Sequence, residues 1–284
     1  GVYVIDDKLI EDTAAGKGGM EHPSNLGVQL ARELQKEFGG RIFMVDPPCV
    51  DELCDMARMT GIDGVPRHTN MHALNLRGVA MHHAKHVLGK KYEDCCFIVC
   101  HIDGGISVSA HRYGRIIDCN DAAGGDGPYT PTRIGSVSVA DILEYVRDKD
   151  IDEVKKLCTR TGGFVSHFGT SSSDAVHKMA EEGNKKAIRV WDGMKYQIVK
   201  YIGAMAAVLG GRVDGILLTG GLLRFEDITQ TIREQCEWIA PVSTYPGEVE
   251  HEALAAGALR VLRGEEEPKH YTGRPVWDGW HDED

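Results

Sequence analysis

Two pairs of adjacent glycines in this 284-residue sequence stand where a phosphate could bind. Gly104 and Gly105 form a turn between two apolar segments in HIDGGISV (101–108), and Gly220 and Gly221 follow the apolar segment GILLT. Adjacent glycines let backbone N–H groups approach a phosphate, because no Cβ blocks the way. A two-glycine hairpin is by itself more often only a turn. The second pair, at the end of a strand and before a helix, strengthens the prediction of a phosphate site.

Two carboxylates occupy positions suited to a magnesium ion, which takes a carboxylate or two beside phosphate groups. Asp46 ends a short apolar segment, and Glu250 opens the last helical pattern together with Glu248 and Glu252. Each has a structural alternative, since Asp favours turns and carboxylates favour the first turn of a helix. The residues alone leave both roles open for Asp46 and favour the structural one for Glu250.

Composition excludes several classes of function. The net charge is −11 and no basic stripe is present, which disfavours nucleic acid as the main partner. The longest apolar runs are far short of the roughly 20 residues that a membrane span needs. Eight cysteines show no C-x-x-C spacing and no disulfide framework. We therefore expect a cytoplasmic protein that has neither nucleic acid nor a membrane as a partner.

Helical and strand patterns that could position these groups alternate along the chain. Three closely spaced strands, CCFIVCHI, ISVSAHR and RIIDC, begin at residue 95 and predict a β-meander. Two further strands, in GILLTGG and PVSTY, alternate with helices, which predicts an α/β fold whose sheet is largely parallel beyond the meander. The predicted helices cover residues 24–38, 51–59, 73–88, 138–148, 151–158, 174–182, 184–209, 226–236 and 250–263.

The length predicts two domains, since domains usually span roughly 100–200 residues. We place an α/β domain over residues 1–94 and a second over 95–264, whose C-terminal helix can pack back on the first. The remaining tail, 265–284, is rich in Glu, Pro, His and Trp and is expected to be poorly ordered or peripheral.

Taken in order, the motifs resemble the butyrate kinase branch of the acetate kinase family over nearly the whole chain, up to about Tyr271. Each motif is modest by itself, whereas their succession is specific. The segments that carry the resemblance are EHPSNLG (21–27), VDPPCVDE (45–52), MHALN (71–75), HIDGGISV (101–108), PTRIGS (131–136), YQIVKYIGAMAAVLGGRVDGILLTGG (196–221) and YPGEVEHEALAAGALRVLRGEEE (245–267).

The resemblance implies the fold of the acetate and sugar kinase, heat-shock chaperone and actin superfamily, in which two similar α/β domains enclose a nucleotide cleft. It also implies reversible, Mg²⁺-dependent transfer of the ATP γ-phosphoryl to butyrate or a similar short-chain acid, giving an acyl phosphate and ADP. No covalent phosphoenzyme is needed. The family assembles from dimers, so we expect a homo-oligomer.

Matched position by position, the resemblance implies roles for five residues. Asp46 is similar to a catalytic-site aspartate that also serves the metal, and Glu250 to a metal-site glutamate. Arg133 is similar to the arginine that stabilises the transferring phosphoryl, with His72 on its other side. His101 matches a further active-site histidine beside the phosphate turn. Such a set suits phosphoryl transfer, where positioning and cations around the equatorial oxygens carry the catalysis.

The sequence departs from the family beside the nucleotide and at the phosphate turn. Gly169 and Thr170 match its nucleotide-binding segment, but Ser172 and Asp174 follow where the family tends to carry an Asp and an Arg. Asp103 replaces a usual glycine, and a carboxylate that faces a phosphate repels it unless it is turned away or bound to a metal.

The family's first strand, its Asn- and Ser-rich phosphate turn and an Arg-Gly-Gly segment would precede the point that matches Gly1, so we expect an incomplete first domain. This expectation and the departures support an alternative function: a non-catalytic or impaired nucleotide-binding homologue. A kinase for acetate, propionate or a branched short-chain acid is a further alternative, since one methylene changes substrate discrimination by only about 1–3 kcal/mol.

Overall fold

A computed structural model describes residues 1–17 and 25–280 of the chain. These residues form two compact units, one made of 1–51 and the segment from Glu250 onward, the other of 52–249. The described elements are, in chain order, β1 (Val2–Val4), α1 (Asp7–Ala14), α2 (Leu26–Phe38), β2 (Phe43–Val45), α3 (Asp55–Arg58), α4 (Ala73–His86), β3 (Cys96–Ile102), β4 (Ile106–Arg112), β5 (Arg115–Cys119), α5 (Val139–Tyr145), α6 (Ile151–Thr159), α7 (Gly163–Phe168), α8 (Ser173–Glu181), α9 (Lys185–Val208), β6 (Gly215–Gly220), α10 (Glu226–Cys236), β7 (Val242–Pro246) and α11 (Glu250–Leu262).

The first unit contains a small antiparallel ladder, in which Val2 of β1 lies opposite Val45 of β2. α11 packs on β2, and Gly257 allows the close approach, because a Cβ there would lie 2.6 Å from Val45 Cγ1. Lys269 pairs with the other edge of β1. Its amide donates to the carbonyl oxygen of Val2 at 2.7 Å, and its carbonyl oxygen accepts from the amide of Val4 at 2.9 Å. The tail, which we expected to be poorly ordered or peripheral, is therefore paired with β1 at Lys269.

The second unit is built on a five-stranded sheet with the order β5-β4-β3-β6-β7. β3, β4 and β5 pair antiparallel as the predicted meander, and β3, β6 and β7 run parallel. Every residue of the central strand β3 is buried, as expected for a strand covered on both faces. In the parallel register His101 lies opposite Thr219, so the carboxyl ends of β3 and β6, with their glycine turns, meet at one edge.

The two faces of this sheet bury different residues of β3. Ile98, Cys100 and Ile102 belong to the main core cluster, which includes Ile198 and Ile202 of α9. Because side chains of a strand alternate between faces, Phe97 and His101 lie on the other face, where α4 packs. The ring of Phe97 contacts that of His83 of α4, with centroids 5.5 Å apart. His101 is thereby placed on the same side of the sheet as the start of α4.

Most predicted elements match the structure to within a few residues. The predicted helix over 51–59 is shorter, Asp55–Arg58, and the helix over 24–38 begins at Leu26 after Asn25. Residues 21–24 of the EHPSNLG motif lie outside the described residues. β1, α1 and α7 were not predicted from the sequence. α7 spans only six residues and starts at a glycine, so no helical period marks it.

The boundaries of the two compact units differ from those of the domains proposed from the sequence. Residues 52–94 belong to the second unit, because α4 packs on β3 and β6, and residues 250–264 belong to the first, because α11 packs on β1 and β2. The limits 1–94, 95–264 and 265–284 stay a prediction for the domains of the protein.

Two expectations from composition concern thiols and membranes. All eight cysteines are free thiols in the structure. Over the described residues, no helix combines the length and apolar character that crossing a membrane requires.

The core around α9 leads to a stability prediction. Ile202 is fully buried against the sheet, whereas Ile188 of the same helix is 38% exposed. Ile202→Ala should lower the free energy of unfolding by about 2–5 kcal/mol, because it removes buried methyl groups and leaves a cavity. The matched change Ile188→Ala should lower it by less than about 1 kcal/mol. Urea denaturation measures both, and equal losses would contradict the packing described here.

Candidate active site

The turn at Gly104 and Gly105 lies between two of the predicted active-site side chains. A Cβ on Gly105 would overlap Arg133 Nη1 and would lie 2.9 Å from His72 Cε1. Any larger residue there would have to displace the guanidinium or the imidazole. Gly104, by contrast, has open space where a Cβ would be. The structure therefore brings Arg133 and His72 together at the glycine turn, although 61 positions separate them in the sequence.

The loop that carries Arg133 is tied to this turn by threonine hydroxyls. Thr130 and Thr132 both donate from Oγ1 to the carbonyl oxygen of Gly104, at 2.7 and 3.2 Å. Thr130 Oγ1 also accepts from the amide of Arg133 at 3.1 Å. Behind the loop, Gly163 has φ +56°, and a Cβ there would overlap the carbonyl oxygen of Thr130. These contacts fix the backbone from which the Arg133 side chain extends.

The guanidinium of Arg133 is partly buried and is anchored at one end. Its Nη1 donates to the carbonyl oxygen of Ala122 at 2.6 Å, and its buried Nε has no hydrogen-bond partner among the described residues. Burial lowers the pKa of Arg133, and the negative charge of Asp121 partly offsets this. An arginine stays protonated at neutral pH even so, and its N–H groups form a rigid fork that suits phosphoryl oxygens.

Two histidines stack beside the turn. The rings of His72 and His101 lie 3.8 Å apart between centroids, with 17° between their planes. His72 Nδ1 lies 2.8 Å from Ser107 Oγ, which fixes the orientation of its ring. His101 is only 1% exposed, and burial lowers its pKa to about 4; the Asp103 charge opposes that shift and the Arg133 charge adds to it. His101 is therefore a neutral imidazole at pH 7.

Asp103 connects the two glycine turns. Its Oδ1 accepts from the amide of Gly104 and its Oδ2 accepts from the amide of Gly221, each at 2.7 Å. Gly220, at the end of β6, has φ +108°, and a Cβ there would overlap the carbonyl oxygen of Ile102. Two of the amides expected to hold a phosphate thus donate to a carboxylate of the protein itself.

The nucleotide segment predicted from Gly169 and Thr170 lies in the connection between α7 and α8. Gly169 ends α7 in the left-handed conformation that glycine favours, with φ +70°. Thr170 Oγ1 accepts from the amide of Ser172 at 3.1 Å. The Ser172 side chain in turn accepts from the amide of Ala175 and caps α8, so its hydroxyl serves a structural contact here.

Asp174 connects this segment to the second glycine turn. Its Oδ2 accepts from Arg224 Nη2 at 2.9 Å, and this contact is the main reason that the pKa of Asp174 is lowered. Arg224 Nη1 also donates to the carbonyl oxygen of Gly221 at 2.8 Å. A carboxylate thus stands where the family tends to carry a cation, and it is paired with an arginine at the glycine turn.

The two predicted metal ligands lie in the first unit. Asp46 follows β2, is 4% exposed and has φ +39°. Its Oδ1 accepts from the nitrogen of Gly1 at 2.5 Å. Glu250 is the first residue of α11. Arg133, His72, His101 and the glycine turns all lie in the second unit.

Four side chains beside the turn were not assigned a role from the sequence. They are Thr130 and Thr132, which hold the turn, Ser107, which orients His72, and Glu248, whose Oε1 lies 3.7 Å from His101 Nε2. Both threonines lie within three positions before Arg133 in the sequence, which was a usable signal. Nothing in the sequence pairs Glu248 with His101, because 147 positions separate them.

Comparison with known proteins gives one consistent group of relatives. A model of the acetokinase family matches residues 65–243. The chain is 42% identical over 273 residues to a "Probable butyrate kinase" of Clostridium botulinum (strain Alaska E43 / Type E3), and 41% identical to one of Coprothermobacter proteolyticus. Each alignment covers 95% of this chain and 76% of the relative.

Solved structures show the same fold at low sequence identity. The chain is similar to Porphyromonas gingivalis acetate kinase, with TM-score 0.79 and 20% identity over 92% of this chain and 74% of that one. It is also similar to a propionate kinase from Francisella tularensis subsp. tularensis SCHU S4, with TM-score 0.75 and 16% identity over 90% of this chain and 74% of that one. These similarities confirm the predicted α/β fold class.

The buried His101 predicts how stability depends on pH. Its folded pKa of about 4 lies below the ordinary value of 6.5, so the unfolded chain binds a proton more readily between these values. The free energy of unfolding should therefore fall as pH is lowered from about 6.5 to about 4, by up to about 3 kcal/mol from this residue. Urea denaturation of the wild type and of His101→Gln, with EDTA present, measures the difference. Parallel pH profiles for the two proteins would contradict a neutral, buried His101.

Proposed function

The chain belongs to the acetokinase family, and from that premise we propose that it transfers the γ-phosphoryl group of ATP to butyrate or a similar short-chain acid. The products are an acyl phosphate and ADP, and the reaction is reversible. Membership of the family confirms that the chain is a carboxylate kinase, a phosphotransferase with a carboxyl group as acceptor. Butyrate is proposed because the two relatives at 41–42% identity are named probable butyrate kinases.

The observation that carries this proposal is the convergence of Arg133 and His72 on Gly105. Phosphoryl transfer develops charge on the three equatorial oxygens of the group in flight, and catalysis consists mainly of positioning and of stabilising that charge. Arg133 supplies a fixed positive charge with N–H donors at the turn. Its contact strengthens as charge develops, so it favours the transition state over the bound substrate.

His72 supplies a hydrogen-bond donor on the other side of the turn. Where Nδ1 accepts from the Ser107 hydroxyl, the ring proton is on Nε2 and can be donated to a phosphoryl oxygen. The stacked, buried ring of His101 limits how far His72 can turn, so His101 positions it. The carboxylate of the acid attacks the γ-phosphorus directly, and no residue of the chain has to form a covalent intermediate.

Asp46 and Glu250 are the residues that we propose to hold Mg²⁺. Carboxylate oxygens are the ligands that this hard cation prefers, and Asp46 offers one from a buried position, which fits such a role. When bound, Mg²⁺ neutralises part of the nucleotide phosphate charge. ATP and ADP are substrates rather than resident cofactors.

A second candidate function is nucleotide binding without efficient catalysis. It is favoured by the contacts of Asp103, whose carboxylate occupies the amides of Gly104 and Gly221. A coupled assay of acyl phosphate formation, run beside a titration with ATP on the same sample, separates the two. Turnover with butyrate supports the kinase, whereas ATP binding without turnover supports the second candidate. Rates with acetate, propionate and a branched acid determine the chain-length preference.

We further propose a cytoplasmic homo-oligomer built from dimers, with neither nucleic acid nor a membrane as a partner. The net charge of −11 and the eight free thiols support this setting. Light scattering of the purified chain tests the oligomer.

Arg133→Ala should lower kcat by about 10²–10³-fold, the effect of removing one preorganised donor to the transition state. The KM for the carboxylate should change far less, because the contact strengthens only as charge develops. Arg133→Lys should restore activity only in part, since an ammonium group lacks the planar fork. Steady-state kinetics measure both constants. A rise in KM at unchanged kcat would exclude the proposed role.

Glu250→Gln and Asp46→Asn should each raise the Mg²⁺ concentration required for activity or abolish turnover, because the amide keeps the shape and removes the charge. Folding should be nearly unchanged, and Asn tolerates the positive φ of Asp46. Glu252→Gln, on the same helix as Glu250, is the matched control. Titration of activity with Mg²⁺ measures the requirement for the ion, and thermal melts show whether each variant is folded. If both variants depend on Mg²⁺ as the wild type does, the two residues have structural roles only.

A further inference from the structure

Three side chains with metal-binding atoms converge at the carboxyl end of β3. One ligand atom each from His101, Asp103 and Glu248 lies within 4.8 Å of the others. Over the described ranges, 1–17 and 25–280, this is the one group of three His, Cys, Asp or Glu side chains that meets so closely. All three residues belong to the second unit, so this group shares no residue with Asp46 and Glu250.

The distances in this group suit a bound cation. Metal bonds to imidazole and carboxylate are about 2.0–2.2 Å long, so neighbouring ligand atoms lie roughly 3–4 Å apart. His101 Nε2 and Glu248 Oε1 are already 3.7 Å apart. That separation is longer than the donor–acceptor distance of a hydrogen bond. The Glu248 side chain is 48% exposed, so it can rotate to bring its carboxylate closer.

The position of His101 places a metal-binding nitrogen inside the protein. Its ring is 1% exposed, and Nε2 is the ring nitrogen that faces Glu248. Imidazole nitrogen is a common metal ligand in proteins.

Asp103 can contribute without losing its present contacts. Each of its oxygens accepts one backbone N–H, from Gly104 or Gly221, and a carboxylate has about four acceptor sites in total. These two amides hold the carboxylate in place. Asp103 is therefore a preoriented ligand at the junction of the two glycine turns.

We propose that His101, Asp103 and Glu248 form a second metal site, which holds a divalent transition-metal cation such as Mn²⁺, Co²⁺ or Zn²⁺. One imidazole nitrogen and two carboxylates select such ions over Mg²⁺, which prefers oxygen ligands and keeps its waters. The bound cation neutralises the charges of Asp103 and Glu248. The turn that now carries a carboxylate then no longer repels a phosphate group.

The test is metal binding to the full chain after treatment with a chelator, with no nucleotide and no acid present. Co²⁺ is followed by its visible absorption and Mn²⁺ by electron paramagnetic resonance. We expect one ion per chain, and Mg²⁺ in millimolar excess should not displace Co²⁺. Because the readout does not need ATP or catalysis, this proposal can fail while the proposed kinase function stands, and the reverse.

Glu248→Gln should weaken Co²⁺ binding by at least about 10-fold, since even residues that only hydrogen-bond to a metal ligand contribute about 10–100-fold. Asp103→Asn should also weaken it, and thermal melts show whether each variant is folded. Glu237→Gln, an exposed change in the same unit, is the control and should bind as the wild type does. Asp46→Asn and Glu250→Gln should leave Co²⁺ binding unchanged.

Four results would overturn the proposal. Three are the absence of saturable binding in the wild type, unchanged affinity in a folded Glu248→Gln, and loss of binding in Glu250→Gln. The fourth is displacement of Co²⁺ by millimolar Mg²⁺, since it would indicate oxygen ligands only.

Discussion

The carboxylate of Asp103 accepts one hydrogen bond from each of the two glycine turns, at Gly104 and at Gly221. Charge-assisted bonds of this kind are roughly twice as strong as neutral ones. They fasten the hairpin after β3 to the turn after β6. The two turns follow parallel neighbouring strands, and the remaining groups of the second unit's site are arranged around this junction.

The candidate site also depends on glycines that let neighbouring groups lie close to the backbone. Gly105 leaves space for the Arg133 guanidinium and the His72 ring, and Gly163 leaves space for the carbonyl oxygen of Thr130. A protein interior is packed nearly as densely as a crystal, so each missing Cβ determines where a neighbouring group can lie. The glycines thus make room for the side chains and backbone groups of the candidate site.

Charge at the turn connects the activity with the departures from the family. A carboxylate at Asp103 opposes an incoming phosphate, while the same carboxylate, with His101 and Glu248, offers a cation three ligands. Asp174 shows a similar exchange, because its negative charge is paired with Arg224. At Asp174 the negative charge is therefore offset by an arginine, whereas at Asp103 it is offset only when a cation is bound.

The sequence alone determined the α/β class, the meander, most helices and the family. Periodicity depends on residues that are close in the sequence, and the order of the motifs can be read directly along the chain. It also identified Arg133 and His72 as candidates, through motifs of a few residues each. The tertiary structure decided which groups meet: Asp103 with Gly221, 118 positions away, and His101 with Glu248. It also assigned α11 to the first unit. The sequence around a carboxylate or an imidazole does not indicate which residue it will contact. That contact is determined by strand register and by packing between distant segments.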